Sequence, residues 1–190
     1  MSTDFAAARL NMVESQIRTA DVTDLPLQDA LRVVAREGVV PASKAYLAYA
    51  DADIEYAPGR WLLRPREVGK LLQALKPREG ETALAIAAPY AAAVLEKMGL
   101  SVTRHDGDDL KTVPAGSYDV IVCEGAVAVA PKAWQDALAH GGRLGVVERT
   151  GPVGRAAIYL RAEDGVGRRA AFDAAPPVLA GFEVETGFSF

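Results

Sequence analysis

The fold is decided by residues 82–105, which read TALAIAAPYAAAVLEKMGLSVTRH. Two short segments, residues 82–86 and 101–104, have the length and composition of strands, and the alanine-rich stretch at 90–98 between them has the length of a helix. When a helix connects two neighbouring strands, the strands lie parallel in one sheet. These residues therefore predict an α/β fold.

The same alternation continues downstream and predicts a mostly parallel sheet with helices on both faces. Two segments near the C-terminal end, residues 156–160 and 182–190, are rich in strand-forming residues, and we expect them to form an antiparallel pair that finishes one edge of the sheet. Between residue 105 and the first of these C-terminal segments we predict, in order, a buried strand YDVIVC (118–123), a helix (132–138), a turn (140–142) and a strand RLGVV (143–147).

Before residue 78 the pattern is helical. Apolar residues recur at helical spacing in three stretches, with Thr23 or Asp24 as the cap of the second helix and Pro65 at the start of the third. Residues 41–64 have no clear periodicity and are rich in aromatic side chains. The apolar stripes consist of Leu10, Val13 and Ile17; of Leu27, Ala30, Leu31 and Val34; and of Val68, Leu71, Leu72 and Leu75.

Composition restricts the class of protein. The chain has 190 residues, of which 50% are hydrophobic and 24% charged, so it can bury a core and is not a disordered tail. Its formal net charge is -4 and no basic block is present, which argues against nucleic acid as a partner. We predict one domain over residues 1–190, with a helical cap and loop over 1–78 and the sheet over 79–190.

The sequence also suggests a compartment. The N-terminus has no signal-peptide pattern, and no stretch is long and apolar enough to cross a bilayer. Cys123 is the single cysteine and there are two histidines, so neither an intramolecular disulfide nor a zinc site is expected. We therefore expect a reduced, cytoplasmic protein that binds no metal and no membrane.

Several segments together resemble the protein-L-isoaspartate O-methyltransferase family of S-adenosylmethionine (AdoMet) methyltransferases. The resemblance follows the chain in order over nearly its whole length and implies a Rossmann-like methyltransferase fold with an N-terminal helical cap. The matching segments are MVESQIRTADVTD (12–24), VVARE (33–37), YAD (49–51), GRWLLRP (59–65), AAAVLEKMG (91–99), YDVIVCEGAV (118–127) and GGRLGVV (141–147).

The segment that would hold AdoMet departs from the family. There the resemblance implies an acid at the end of the first strand and a glycine-rich turn, because glycine adopts positive φ and lets the ligand approach the backbone. This sequence instead has Ala85 in place of the acid, and Ala87, Ala88 and Pro89 before Tyr90. We expect the turn to fold, with Pro89 at the first position of a helix, and its ligand face to be lost. Ala87 and Tyr90 then mark vestigial cofactor positions.

Two acids are further candidates for cofactor positions. Asp106 follows the strand at 101–104, where the family places the acid that binds the ribose hydroxyls; alternatively HDGDD (105–109) matches a later Gly-Asp stretch near adenine, or is a plain polar turn. Glu124 ends the strand YDVIVC, where parallel-sheet proteins place ligand contacts, although capping or solvation would equally explain it.

The substrate segment is altered as well. In the family a serine lies at the substrate pocket, and the resemblance aligns it with Leu63, between Trp61 and Arg64. Leucine cannot donate a hydrogen bond to a carboxylate; Arg64 could pair with one, or lie solvated at the start of a helix.

The third departure is one of length. Between residue 104 and Tyr118 the chain is too short for the helix, strand and helix that the family has there. We expect the fold to be shortened by about one edge β-α unit, which leaves the strand at 101–104 at an open edge. Either Arg104 and the acidic turn protect this edge or a second copy of the chain covers it, forming a homodimer.

The resemblance and the departures from it are compatible with two alternative functions. In the first, the chain has lost AdoMet binding, takes no cofactor and serves as a non-catalytic binding or structural module for a protein partner. In the second, it is an active AdoMet-dependent protein-L-isoaspartate (D-aspartate) O-methyltransferase in protein repair, acting on isoaspartyl peptides. The departures favour the first. In that case we expect Trp61 and Leu63 to fill the vacated space.

Overall fold

The structure is a computed structural model and describes residues 4–184. Its centre is a six-stranded sheet, whose strands are β3 (Thr82–Ile86), β4 (Ser101–His105), β5 (Tyr118–Val127), β6 (Leu138–Arg149), β7 (Gly154–Ala162) and β8 (Gly165–Ala174). The strands lie in the spatial order β4-β3-β5-β6-β7-β8. The four strands from β4 to β6 pair in parallel, and β7 and β8 add two antiparallel pairings at the far side.

Helices cover both faces of this sheet, as predicted. Successive residues of β5 point to opposite faces, so that Val120 and Val122 join one buried cluster while Ile121 and Cys123 join the other. The helices are α1 (Phe5–Met12), α2 (Leu25–Val33), α3 (Pro65–Leu75), α4 (Pro89–Lys97) and α5 (Lys132–Asp136). The first cluster includes residues of four helices, α1 to α4, and the second includes Trp134 of the short helix α5.

The predicted C-terminal pair of strands is wrong in its second member. The partner of β7 is β8 at Gly165–Ala174, and residues 182–184 form no strand. Residues 185–190 lie outside the described residues. Most of β8 is solvent-exposed, so it lacks the apolar run that would have marked it in the sequence. The predicted turn at 140–142 is also wrong, because β6 already begins at Leu138.

The first helix ends earlier than its apolar stripe suggests. A π-helical turn, Val13–Ile17, follows α1 and changes which residues face inward. As a result Leu10 is 51% exposed, contrary to the prediction, while Val13 and Ile17 are buried. The helix α2 begins as expected: of the two candidate caps it uses Asp24, whose carboxylate accepts a hydrogen bond from the Leu27 N–H at 2.9 Å.

The stretch at 41–64, where periodicity is absent, contains a small hairpin. Its strands are β1 (Ile54–Ala57) and β2 (Arg60–Leu62), which pair antiparallel around Gly59 at φ +66°. Of the aromatic side chains there, Tyr46 is 71% exposed. The hairpin carries the chain from the cap into α3, and so places Leu62 and Leu63 in the buried cluster against the sheet.

The edge strand β4 has no neighbour on its outer side among the described residues. Residues 106–117, which connect it to β5, contain no helix or strand. Instead Leu110 inserts into the second buried cluster, and its carbonyl accepts a hydrogen bond of 2.7 Å from the Trp134 indole N–H. The sheet is therefore shortened at this edge, as the length of the chain predicted.

We predict that the cap and the sheet unfold together. Side chains from both parts share one buried cluster, for example Leu31 of the cap and Val120 of the sheet. Trp61 lies in the cap and Trp134 in the sheet, so the variants Trp61→Phe and Trp134→Phe leave one fluorescent reporter in each part. Within each variant, urea unfolding followed by the remaining tryptophan and by circular dichroism of the whole chain should give coincident transitions. Two separated transitions would instead show the cap to be an independent unit.

Candidate functional site

Ligands of open parallel sheets bind at the carboxyl ends of the strands, where the strand order reverses. In this sheet the reversal lies between β3 and β5, because β4 is placed on one side of β3 and β5 on the other. We call the space at this point, beyond Ile86 and Cys123, the switch-point crevice. It is the position at which a cofactor site is expected.

The turn after β3 borders this crevice with a side chain where glycine would be expected. Ala87 has φ +45°, a left-handed conformation that glycine adopts freely, and it is fully buried. Its N–H donates a hydrogen bond of 2.9 Å to the His105 carbonyl, which ties the end of β3 to the end of β4. Pro89 then begins α4, as predicted.

Glu124 lies in the crevice and is fully buried. Its Oε1 accepts a hydrogen bond of 2.8 Å from the Ala91 N–H at the start of α4, and its Oε2 accepts one of 3.0 Å from the Leu63 N–H. Burial raises the pKa of Glu124 to about 7, opposed by the positive charge of Arg36 and by the surrounding N–H groups. The carboxylate thus lies at the N-terminus of α4, the end of a helix that attracts anions, and its hydrogen-bond partners there are backbone N–H groups of the chain itself.

Arg36 faces the same place from the cap and is also fully buried. Its Nε donates to the Ala48 carbonyl at 2.8 Å and its Nη2 to the Leu63 carbonyl at 2.5 Å. The guanidinium lies 4.6 Å from the centre of the Tyr90 ring. The Leu63 peptide is therefore held from both sides, its C=O by Arg36 and its N–H by Glu124. Burial lowers the pKa of Arg36 and raises that of Tyr90.

Asp106 is engaged by the hairpin of the cap. Its Oδ2 accepts a hydrogen bond of 2.8 Å from the Tyr56 hydroxyl, and its Oδ1 lies 3.4 Å from Arg60 Nε. Arg60 also donates to the Gly107 carbonyl at 2.9 Å. The acid at the end of β4, the candidate partner for a ribose, is paired with protein side chains in this structure.

The three residues predicted for the substrate pocket separate. Leu63 is fully buried and fills part of the switch-point crevice, whereas Trp61 is half-buried and packs against the second buried cluster. Arg64 turns toward Asp53, which accepts a hydrogen bond of 3.0 Å from its N–H and pairs with its guanidinium at 3.2 Å. Of the candidate site residues, Leu63 and Tyr90 belong to the first buried cluster, beside the partners of Glu124, and Ala87 belongs to the second. Trp61 packs against that second cluster, whereas Arg64 points toward Asp53.

The free space beside the crevice is small. One cavity of about 80 Å³ is present there, bordered by Ala85, Ala88, Pro89 and residues 104–106. Ligand sites usually have roughly 300–1,000 Å³. In this arrangement the crevice leaves little room for a ligand of the size of AdoMet, because the turn after β3 carries the side chains of Ala87 and Ala88 and Leu63 of the cap is buried in the space.

The remaining candidates for chemistry are structural. Cys123 is fully buried, burial raises the pKa of its thiol, and the thiol donates to the Glu124 carbonyl at 3.5 Å. His105 Nε2 is hydrogen-bonded to the Thr112 carbonyl at 2.9 Å. Within residues 4–184 there is no cluster of three or more metal-ligating side chains, and no helix there has the length and apolarity needed to cross a bilayer.

The fold and the crevice define a Rossmann-like α/β protein of the methyltransferase type. The chain is 35% identical over 175 residues to the protein-L-isoaspartate O-methyltransferase of Methylorubrum populi, a match that covers 78% of this chain and 82% of that relative. It therefore belongs to the protein-L-isoaspartate O-methyltransferase family, as the sequence segments indicated.

Other comparisons agree with this membership. The protein-L-isoaspartate O-methyltransferase of Methylorubrum extorquens is 39% identical over 101 residues, which is 52% of this chain and 44% of that relative, less than half of its length. A solved structure described as a protein-L-isoaspartate O-methyltransferase from Plasmodium falciparum in complex with S-adenosyl-L-homocysteine aligns with a TM-score of 0.74 at 15% identity, over 94% of this chain and 99% of that one. No protein-family model matches the chain.

Proposed function

We propose that this family member does not bind AdoMet and acts as a non-catalytic binding or structural module. The observation that carries the proposal is the filled switch-point crevice, in which Leu63 of the cap and Glu124 of the sheet stand where a ligand would lie and leave a cavity of about 80 Å³. A cofactor could enter only if the segment around Leu63 moved away from α4.

The groups that would hold the cofactor are also changed. A carboxylate at the end of the first strand is absent, because position 85 is alanine and buried. The left-handed turn carries the Ala87 side chain, and Asp106 is already paired with Tyr56 and Arg60. Each change removes a contact that binding would require, and the elements that form the sheet are intact.

The second candidate is an active AdoMet-dependent protein-L-isoaspartate O-methyltransferase. The specific observation in its favour is the name that the relatives at 35% and 39% identity carry, and taken alone the comparisons favour this candidate. Methyl transfer to a carboxylate requires mainly positioning of the two reactants, so the absence of a hydroxyl at Leu63 does not by itself exclude activity. The two candidates differ first in whether AdoMet binds.

Calorimetric titration of the full chain with AdoMet and with S-adenosyl-L-homocysteine separates them. The first candidate predicts no saturable heat and no shift in Tm at millimolar ligand. Saturable micromolar binding would overturn it. If that binding is accompanied by methyl ester formation on a synthetic isoaspartyl peptide, and not on the matching aspartyl peptide, the second candidate is established.

A non-catalytic module needs a partner, and we propose a protein one. Among residues 4–184 no strand pairs with the outer side of β4, and the ion pair of 2.8 Å between Arg104 and Glu96 places charge beside this edge. A second copy of the chain at this edge would give a homodimer. Light scattering over a wide concentration range tests this, and a monomer throughout would exclude the homodimer.

A further inference from the structure

We propose that the Glu124 side chain is an intramolecular ligand in a carboxylate-binding site, formed by the start of α4, the Leu63 peptide and Arg36, and that this site binds a free small carboxylate when the side chain is removed. The inference rests on the proposed function and deepens it, since it identifies the group that occupies the ligand's place and the chemistry that the place selects.

The donors are arranged for two oxygens of one carboxylate. Ala91 N–H reaches Oε1 at 2.8 Å, and Leu63 N–H reaches Oε2 at 3.0 Å from a different element. The helix α4 has nine residues, so its first turn presents N–H groups with the positive end of the helix dipole. Two donors from separate elements, facing both oxygens, select a planar anion rather than a single acceptor atom.

The buried guanidinium of Arg36 is an independent sign of an anion site. It keeps its charge when buried, and Glu124 is the opposite charge that stabilises it most. No ion pair within 4 Å joins the two among residues 4–184; the Leu63 peptide lies between them instead. Arg36 Nη1 and the Tyr90 hydroxyl, both fully buried, have no hydrogen-bond partner in the described part of the chain. Two buried donors therefore remain without hydrogen bonds, on the Arg36 and Tyr90 side chains that lie against each other next to the Leu63 peptide.

The strand that carries Glu124 is built to direct it into this site. The pairing of β5 with β6 shifts between Val122 and Ala126, and Gly125 within the shift has φ +89°. Such a bulge redirects the neighbouring side chain. On the other side, Ala126 N–H donates to the Pro177 carbonyl at 3.0 Å and holds the bulge in place. The carboxylate is thus fixed by the sheet, and the cap closes over it.

The test removes the carboxylate and supplies it again from solution. In Glu124→Ala, Tm is measured at pH 8 with sodium formate, sodium acetate, sodium chloride of equal ionic strength, and acetamide. We expect formate and acetate to raise Tm saturably by about 3–6 °C, with no such effect of chloride or acetamide. The wild-type chain, whose site is occupied, should respond to none of the four.

Val122→Ala is the matched control, because Val122 lies on the same strand and the same face and is equally buried. Its truncation leaves an apolar cavity, so formate and acetate should not stabilise it. An equal response of the two variants, or no response of Glu124→Ala, would overturn the proposal. If Glu124→Ala does not fold in chloride, recovery of its circular dichroism in formate supports the site. If Glu124→Ala does not fold in any of the salts, and Glu124→Ser gives the same result, the carboxylate site is contradicted.

The same samples separate this inference from the proposed function. AdoMet binding by the wild-type chain would overturn the proposed function whatever formate does to Glu124→Ala. Conversely, if formate has no effect on Glu124→Ala and the wild-type chain does not bind AdoMet, the proposed carboxylate site is wrong and the proposed function still stands.

Discussion

Replacing Arg36 with methionine is expected to lower the free energy of unfolding by about 3–5 kcal/mol, because the change leaves the buried Glu124 carboxylate without a compensating charge. The Ala48 and Leu63 carbonyls also lose their donors. Methionine retains much of the volume of the side chain, so a cavity contributes little to the loss. The measurement is urea unfolding at pH 8, followed by circular dichroism.

A double-mutant cycle isolates the charge effect. Arg36→Met combined with Glu124→Gln removes both charges, and we expect this double variant to be more stable than Arg36→Met alone, because an unpaired buried charge costs more than the one backbone N–H bond that the glutamine NH2 cannot accept. As a control, Arg18→Met removes an exposed partner of Glu14 and should change stability by less than about 1 kcal/mol. Additive single effects of Arg36 and Glu124 would contradict the coupling through Leu63.

The main elements of the sheet could be predicted because their sequences carry strong local signals. The apolar runs at β3 and β5, and the stripe of α3 opened by Pro65, need no long-range information. The strand β8 could not be found in this way, because its residues are mostly solvated and its position depends on pairing with β7. The hairpin at Gly59 had a usable signal, the Pro58-Gly59 pair, which marks a turn.

The arrangement of side chains in the crevice could not be predicted from the sequence. Leu63, Tyr90 and Glu124 do meet, yet nothing near Arg36 in the sequence indicates that this arginine is buried, since arginine after a helix is usually solvated. The direction of Glu124 depends on the bulge at Gly125, and only the pair Glu124-Gly125 inside an apolar strand hints at it. A group whose partners come from three elements can be placed only once the fold is known.

The last prediction concerns the shortened edge, where residues 106–117 take the place of regular structure. Trp134 is fully buried, its ring centre lies 5.5 Å from that of Phe182, and its indole N–H holds the Leu110 carbonyl. Trp134→Ala should therefore lower the free energy of unfolding by about 3–5 kcal/mol, because it leaves a large cavity and an unpaired buried carbonyl.

Trp134→Phe separates the two contributions, since it keeps an aromatic ring and removes the hydrogen bond to Leu110; we expect a loss of about 1–3 kcal/mol. Urea unfolding monitored by circular dichroism measures both variants without relying on tryptophan fluorescence. Limited proteolysis under native conditions supplies a local readout: residues 106–117 should become cleavable in Trp134→Ala well before the rest of the chain. If Trp134→Ala loses less than about 1 kcal/mol and its 106–117 segment stays protected, Trp134 does not anchor this edge, and the side chain of Leu110 must hold the segment by itself.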